Sequence, residues 1–134
     1  MAGLVDALKS DHAVILATLN KIKEVGISSK EGRDKLLEVK NLLLHHLQRE
    51  DRELYPHLRR AAEVDISLRQ TLELFAKDMD EISRLAMEFF QKYAQGGAGI
   101  EFARDFGRLY ATLGERIRRE ENIIYVRFQQ LEKK

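Results

Sequence analysis

The chain has 134 residues, of which 44% are hydrophobic, 34% charged and 7% aromatic, with a single proline; this composition favours amphipathic helices in one domain over short β-strands. Its 23 basic and 22 acidic side chains are interspersed, so no region of one charge sign is available to attract nucleic acid or an anionic membrane surface. The chain contains no cysteine, which excludes disulfides, thiolate metal sites and cysteine nucleophiles.

The N-terminal segment MAGLVDALKS lacks the basic start and apolar run of a secretion signal. No stretch of the sequence approaches the roughly 20 apolar residues that span a bilayer. We therefore expect a cytoplasmic protein with neither a membrane nor a nucleic-acid partner.

Three groups of turn-forming residues divide the chain into four segments. They are GISS at 26–29, EVD at 63–65 and GGAG at 96–99. Ser28 and Glu31 have the spacing of a capping box, Asp65 can cap the third segment, and the glycines after Gln95 suit a helix end. Each segment is therefore predicted to be one long helix, and short connections require antiparallel neighbours. The predicted architecture is an all-α, up-down-up-down four-helix bundle that forms a single domain over residues 1–134.

Apolar residues recur every three or four positions in each segment, as on one face of a helix. The first stripe is Leu4, Leu8, His12, Ile15, Leu19 and Ile22, and the second is Leu36, Val39, Leu43, His46, Glu50, Glu53 and His57. The third is Leu68, Leu72, Phe75, Met79, Ile82, Ala86 and Phe89, and the fourth is Phe106, Leu109, Leu113, Arg116, Glu120 and Ile123. Histidines or charged residues thus interrupt every stripe except the third.

Counting from the turns places these interruptions at one level of the bundle. At a rise of about 1.5 Å per residue, His12 and His46 differ in height by about one helical turn or less. Met79 and Arg116 lie at similar distances from the third turn. We therefore predict that side chains from all four helices meet in a small polar chamber inside the bundle.

The second segment contains HLQREDRELYP, with His46 followed at four and five residues by Glu50 and Asp51 and then by a Leu-Tyr-Pro ending. The first contains SDHAVI, in which Asp11 precedes His12. In these motifs the sequence resembles the hemerythrin-like family, also called HHE cation-binding domains. The resemblance extends over nearly the whole chain and implies the family's four-helix bundle.

The two halves of the chain also resemble each other. DHAVI at 11 is echoed by DMDEI at 78, and HLQREDRELYP at 46 by RIRREENIIYV at 116. The carboxylates and the tyrosine of the second motif recur at matching offsets, as Glu120, Glu121 and Tyr125. Where family members carry metal-binding histidines in the second half, this sequence has Met79 and Arg116.

The resemblance implies that His12 and His46 bind one iron ion and that Glu50 and Glu120 bridge it to a second. Because the second-half histidines are replaced, we expect a partly degenerate non-haem iron site that holds one or two ions, or none. Imidazole and carboxylate suit iron, manganese or zinc, and the spacing of His46 and Glu50 lets both face one ion. The role that the resemblance implies is binding or sensing of oxygen, nitric oxide or iron, with a small diatomic ligand. Redox catalysis at the metal is a third possibility, which would need an open coordination position.

Four further residues are candidates for neighbours of the metal or substitutes for it: Arg116, Met79, Glu121 and Glu53. The guanidinium of Arg116 stays protonated and offers no lone pair to a metal. We hypothesise that Arg116 takes the place of a metal between Glu50 and Glu120, because burying an unpaired charge costs several kcal/mol. Met79 is most simply core filling, and Glu53 lies one turn beyond Glu50.

The main alternative is a metal-free bundle that acts as a protein-interaction or regulatory module, with Arg116 balancing the core charge. Such a protein would associate as a homo-oligomer or with a protein partner. Tyr55 and Tyr125 are predicted to be exposed and to mark the contact surface.

The two other histidines are expected to lie outside the chamber. His45 is rotated about 100° from His46 and is expected on the flank, and His57 is expected at the end of the bundle.

Two other metal chemistries are less consistent with the spacing. Ferritin-like di-iron proteins use a Glu-x-x-His motif on two helices, and no such spacing occurs around the four histidines. A haem between His12 and Met79 has a suitable axial pair. The charged residues at the same level, however, argue against an apolar haem pocket.

Overall fold

A computed structural model describes residues 3–133. Within that range the chain folds into six α-helices and one π-helical turn. They are α1 (Leu4–Val25), α2 (Lys30–Glu53), α3 (Tyr55–Ala62), α4 (Ile66–Lys92), α5 (Gly99–Arg119), the π turn (Glu120–Ile124) and α6 (Tyr125–Glu132). Because α2 continues into α3, and α5 continues through the π turn into α6, the chain forms four helical rods. The prediction of an all-α four-helix bundle is confirmed.

The three predicted turns separate these rods. Asp65 caps α4, as predicted, by accepting a hydrogen bond from the Leu68 N–H at 3.1 Å. The cap of α2 is Ser29, which accepts from the Gly32 N–H at 3.2 Å, and the prediction of Ser28 was wrong by one residue. After α1, Gly26 adopts φ of 71°, a conformation that glycine tolerates readily. The remaining residues of GISS complete the turn, and α2 begins at Lys30.

The prediction of four unbroken helices was wrong for the second and fourth rods. In the second, Pro56 has no N–H to donate to the Arg52 carbonyl, so α2 ends at Glu53 and α3 begins at Tyr55. In the fourth, the Tyr125 N–H donates to the Glu120 carbonyl five residues earlier. This π turn inserts one extra residue into the helix.

Short connections make neighbouring rods antiparallel. Helix α1 packs along α2, α4 packs along α5, and α1 also contacts α5. Helix α3 contacts both α4 and α6. None of the helices in the described part of the chain is long and apolar enough to cross a membrane.

The buried apolar side chains form two separate clusters along the bundle axis. The first, near the α1–α2 and α4–α5 turns, includes Ile15, Leu19, Val39, Leu43, Ile82, Phe89, Phe106 and Leu113. The second, near the α3–α4 turn, includes Val5, Leu8, Leu54, Leu58, Phe75, Ile124, Tyr125 and Phe128. Along each rod, the predicted polar-chamber residue lies between members of the two clusters, so the chamber forms a layer across the bundle.

Candidate metal centre

Four potential metal-binding side chains meet in this layer. His12 comes from α1, His46 and Glu50 from α2, and Glu120 from the start of the π turn. Each is buried, and one potential ligand atom from each lies within 4.8 Å of the others. Ligand atoms on one ion with bonds of about 2.1 Å lie at most about 4.2 Å apart. The largest separation among the four ligand atoms therefore exceeds the largest separation that one ion allows by only about half an ångström.

Both histidines are oriented by carboxylates behind them. His12 Nδ1 lies 2.7 Å from Glu121 Oε2, and His46 Nδ1 lies 3.1 Å from Asp11 Oδ2. This leaves Nε2 of each ring directed at the centre, with the ring centroids 4.5 Å apart. Carboxylates commonly hold metal-binding imidazoles in this way.

The spacing around the Nε2 atoms suits a shared cation better than a hydrogen bond. His46 Nε2 is buried and has no hydrogen-bond partner among the residues that the structure describes. It lies 3.5 Å from Glu50 Oε2, and His12 Nε2 lies 3.5 Å from Glu120 Oε1. These distances are long for a strong hydrogen bond. Ligand atoms on a tetrahedral ion with bonds of about 2.1 Å lie about 3.4 Å apart. The residues present therefore fit a bound metal ion.

Two tyrosines hold the two carboxylates. The Tyr125 hydroxyl donates to Glu50 Oε2 at 2.6 Å, and the Tyr55 hydroxyl donates to Glu120 Oε2 at 3.0 Å. The prediction that both tyrosines are exposed was wrong: Tyr125 is fully buried and Tyr55 is half-buried. On a regular helix, a residue five positions after an inward glutamate points about 140° away. The break before Tyr55 and the π turn before Tyr125 bring both rings back toward the centre.

The charges within the layer shift one another's pKa values. Burial raises the pKa of Glu50, and the nearby Glu120 carboxylate adds to this effect against the opposing influence of His46. Burial alone would also raise the pKa of Glu120, but His12 and Arg116 outweigh it and hold this pKa below its usual value. Burial disfavours charge on His46, yet Glu50 and Asp11 outweigh it and raise the pKa of His46. The neighbouring cationic groups thus favour the charged form of Glu120, whereas burial opposes the charged form of Glu50.

Arg116 lies at the edge of the centre and is held mainly by the third rod. Its Nη1 donates to the Phe75 carbonyl at 2.8 Å and lies 3.5 Å from Asp78 Oδ2. Its Nη2 lies 3.8 Å from Glu120 Oε2. Within residues 3–133, the ion pairs of Arg116 are with Asp78 and Glu120 and not with Glu50, so the expected bridge between the two glutamates was wrong. The backbone carbonyl and Asp78 draw the guanidinium toward α4.

Of the other three residues that were predicted to lie near the metal, two lie beside the histidines and one does not. Met79 lines a cavity beside the histidines and packs against the first apolar cluster. Glu121 contacts His12, as described above, whereas Glu53 lies on the surface, where its Oε2 is 3.4 Å from Arg49 Nε. Glu53 therefore takes no part in the centre, because it faces solvent at the last position of α2. His45 is exposed, as predicted.

Sequence reasoning assigned no role to Asp11 or Asp78, although both hold key side chains. The internal repeat contains the pattern that could have identified them, because Asp11 and Asp78 occupy matching positions. Asp11 contacts His46, and Asp78 contacts Arg116, which matches His46 in the repeat. Each aspartate therefore holds the equivalent residue of the following rod.

Two spaces adjoin the centre. An inner cavity of about 20 Å³ is bounded by His12, His46, Glu120 and apolar side chains, which is enough for about one water-sized molecule and leaves no room for a haem. An outer groove of about 720 Å³ runs between the second and third rods and reaches Glu50 and Tyr55. Met79 and Arg116 line both spaces and so lie between the inner cavity and the groove.

Comparison with known proteins gives one finding and two negative results. The family model described as the hemerythrin HHE cation-binding domain matches residues 3–128. No curated protein and no solved structure gives a significant match. The family match covers nearly the whole chain and includes every residue of the centre described above. The chain therefore belongs to the hemerythrin HHE cation-binding domain family.

Proposed function

We propose that this protein binds one non-haem iron ion through His12, His46, Glu50 and Glu120. The observation that carries the proposal is the buried Nε2 of His46, which has no hydrogen-bond partner within residues 3–133. It faces Glu50 at 3.5 Å, while Asp11 holds the opposite ring nitrogen. An unpaired polar atom in a core is costly, and a metal ion would satisfy it. Two imidazoles with carboxylates are a ligand set that ferrous iron commonly accepts.

A single ion fits the charges better than the two ions of a complete site. Arg116 matches His46 in the repeat but is a cation without a lone pair, and Met79 offers only a soft thioether. Arg116 lies 3.8 Å from Glu120. A second iron on that side would meet a fixed positive charge instead of a ligand.

The two spaces beside the centre support a role in binding or sensing a small ligand such as oxygen or nitric oxide. The inner cavity of about 20 Å³ borders both histidines and is largely apolar elsewhere. A diatomic molecule fits a space of that size, whereas a larger organic substrate does not. The bound iron would supply an open coordination position, and the surrounding apolar side chains would keep bulk water away from it.

The test is anaerobic reconstitution with ferrous iron, followed by measurement of iron per chain and thermal stability. Wild-type protein should retain about one iron per chain and gain about 2.7 kcal/mol of stability when free iron is about 100 times its Kd. His46→Ala should lose both effects. His45→Ala, which changes the exposed neighbour, should keep both. Wild-type protein that retains no iron and gains no stability would contradict the proposal.

The alternative is a metal-free family member in which Arg116 neutralises the core and the surface binds protein partners. The contact between Arg116 and Glu120 supports it, because this contact helps to hold the pKa of Glu120 low without a metal. The same reconstitution decides between the two functions. An iron-free wild-type protein of high stability would favour this alternative.

A further inference from the structure

We propose that the hydroxyl oxygen of Tyr125 is a fifth ligand atom of the metal site and makes the site selective for ferric iron. This inference rests on the proposed iron site. Its basis is the position of one phenol oxygen, 2.6 Å from Glu50 Oε2 and 3.2 Å from His12 Nε2. Adjacent ligand atoms on one ion with bonds of about 2.1 Å lie roughly 3.0 Å apart, which is close to the separation from His12 Nε2. The shorter separation from Glu50 Oε2 is that of the hydrogen bond that the Tyr125 hydroxyl donates in the metal-free protein.

The surroundings of Tyr125 hold this oxygen in the polar layer. The side chain is fully buried and its ring stacks on His12 at a centroid distance of 5.6 Å and an interplanar angle of 11°. The backbone presents it through the π turn, in which the Tyr125 N–H donates to the Glu120 carbonyl. Such turns are rare and often occur at functional sites. Here the turn places a ligand glutamate and the tyrosine on the same side of the helix.

Tyr55 occupies the matching position of the repeat but differs in its contacts. Its oxygen donates to Glu120 at 3.0 Å and accepts from Arg116 Nη2 at 3.4 Å, and its side chain lines the outer groove. A phenol oxygen that already accepts from a guanidinium is poorly placed to bind a cation. Tyr55 is therefore a matched control for Tyr125.

Charge balance explains the selectivity for ferric iron. Glu50 and Glu120 together balance a divalent ion, and a third negative ligand is needed for a trivalent one. When ferric iron is bound, the O–H bond of Tyr125 breaks, a bond from its oxygen to the iron forms, and the proton leaves to solvent. Phenolate oxygen is a hard ligand that stabilises ferric iron, as in the tyrosine-ligated haem of catalases.

The experiment compares wild-type protein, Tyr125→Phe and Tyr55→Phe after anaerobic loading with ferrous iron. Ferricyanide then removes one electron per iron, and the excess is removed by gel filtration. Iron per chain, visible absorption and resonance Raman spectra are recorded. Wild type should show phenolate-to-iron charge transfer with enhanced tyrosine ring vibrations. Tyr55→Phe loses a hydrogen bond to Glu120 and is expected to hold iron less tightly, but the iron that it holds should show the same two signals. Tyr125→Phe should show neither and should bind ferric iron roughly 10- to 100-fold more weakly.

Each failure has a distinct meaning. Iron-loaded wild type without tyrosine vibrations, or Tyr125→Phe that retains them, overturns the role of Tyr125 while leaving the iron site intact. Wild type that holds no iron overturns the proposed function and this inference together. If Tyr125→Phe does not fold, wild-type protein with ring-deuterated tyrosine must still show shifted vibrations, and Tyr55→Phe must retain them.

Discussion

At the scale of single residues, the two halves of the bundle hold their central side chains in the same way. Asp78 occupies the repeat position of Asp11, which holds the ring of His46. In this chain Asp78 instead faces Arg116 Nη1 at 3.5 Å and Arg119 Nη2 at 2.5 Å. The second half of the bundle therefore still has an aspartate suited to orient a histidine.

Restoring the two histidines should create a second metal position. We expect Met79→His/Arg116→His to bind about twice as much iron per chain as wild type under the same anaerobic loading. Asp78 would hold the new imidazole at 116, and Glu120 would then bridge two ions. Metal analysis after gel filtration measures the ratio. A folded double variant with the same iron content as wild type would refute this prediction, and Arg116→His alone should give a smaller gain.

Removing Arg116 should destabilise the metal-free protein. Its guanidinium is buried, and it contacts Glu120 and Asp78 and lies over the Phe75 ring, with Cζ 4.8 Å from the ring centroid. We expect Arg116→Leu to reduce the free energy of unfolding by about 3 kcal/mol, because a buried carboxylate loses its cation.

Urea denaturation of the metal-free proteins tests this expectation. Arg118→Leu is the control, since Arg118 is largely exposed and its one ion pair in the described part of the chain is with Glu115, one helical turn away. A surface pair of that kind contributes about 1 kcal/mol or less. Equal losses in the two variants would show that Arg116 does not balance buried charge.

At the scale of secondary-structure elements, the breaks within the second and fourth rods were harder to predict than the rods themselves. Apolar periodicity and turn residues predict where the rods begin and end, because both depend on local spacing. The break at Leu54 follows from Pro56, which was present in the recognised motif. The π turn has no comparable local marker, since its residues Glu120–Ile124 are ordinary helix formers. For this reason the inward positions of both tyrosines were missed.

The π turn should behave as a single inserted residue. Deleting the exposed Asn122 should convert it to regular α-helix while leaving Ile124, Tyr125 and Phe128 facing the core, so thermal stability should change little. Deleting the exposed Ala111 from the regular part of α5 should rotate every later residue by about 100°. That variant should lose most of its stability. Circular dichroism melting distinguishes the two deletions, and similar losses would contradict this account.

At the scale of the whole molecule, two apolar clusters enclose one polar layer. Counting along antiparallel rods was sufficient to predict that His12, His46 and Glu120 meet, because rise per residue and turn positions determine height. The contacts within the layer depend on side-chain rotation and on the partner rod, which spacing does not determine. Asp11, Asp78 and the two tyrosines were therefore identified only from the coordinates.

Stability in acid should depend on a second polar cluster, at the end of α4. Asp105 Oδ2 accepts from Lys92 Nζ at 2.8 Å and from the Tyr93 hydroxyl at 2.6 Å. Lys92, together with Tyr93, lowers the pKa of Asp105 below its ordinary value. A carboxyl with a lowered pKa contributes stability above its unfolded-state pKa of about 3.9, and this contribution is lost as the pH falls through the folded-state value.

Asp105→Asn should therefore reduce stability at neutral pH and flatten its decline below about pH 4. The urea midpoint measured between neutral and acidic pH would show this for wild type and the variant. Tyr93→Phe removes one of the two donors and should produce a smaller change in the same direction. Parallel curves for wild type and Asp105→Asn would exclude Asp105 as a source of acid sensitivity.

The outer groove makes the two sides of the centre unequal in their access to solvent. Arg116 and Met79 line the groove, whereas His12 and His46 border the inner cavity and, within residues 3–133, do not line the groove. The side of the centre at Arg116 and Met79 is thus the one that external chelators and solutes should reach first. Of the four proposed ligands, Glu50 lines this groove and the other three do not, so release of a bound ion should begin on the Glu50 side of the centre.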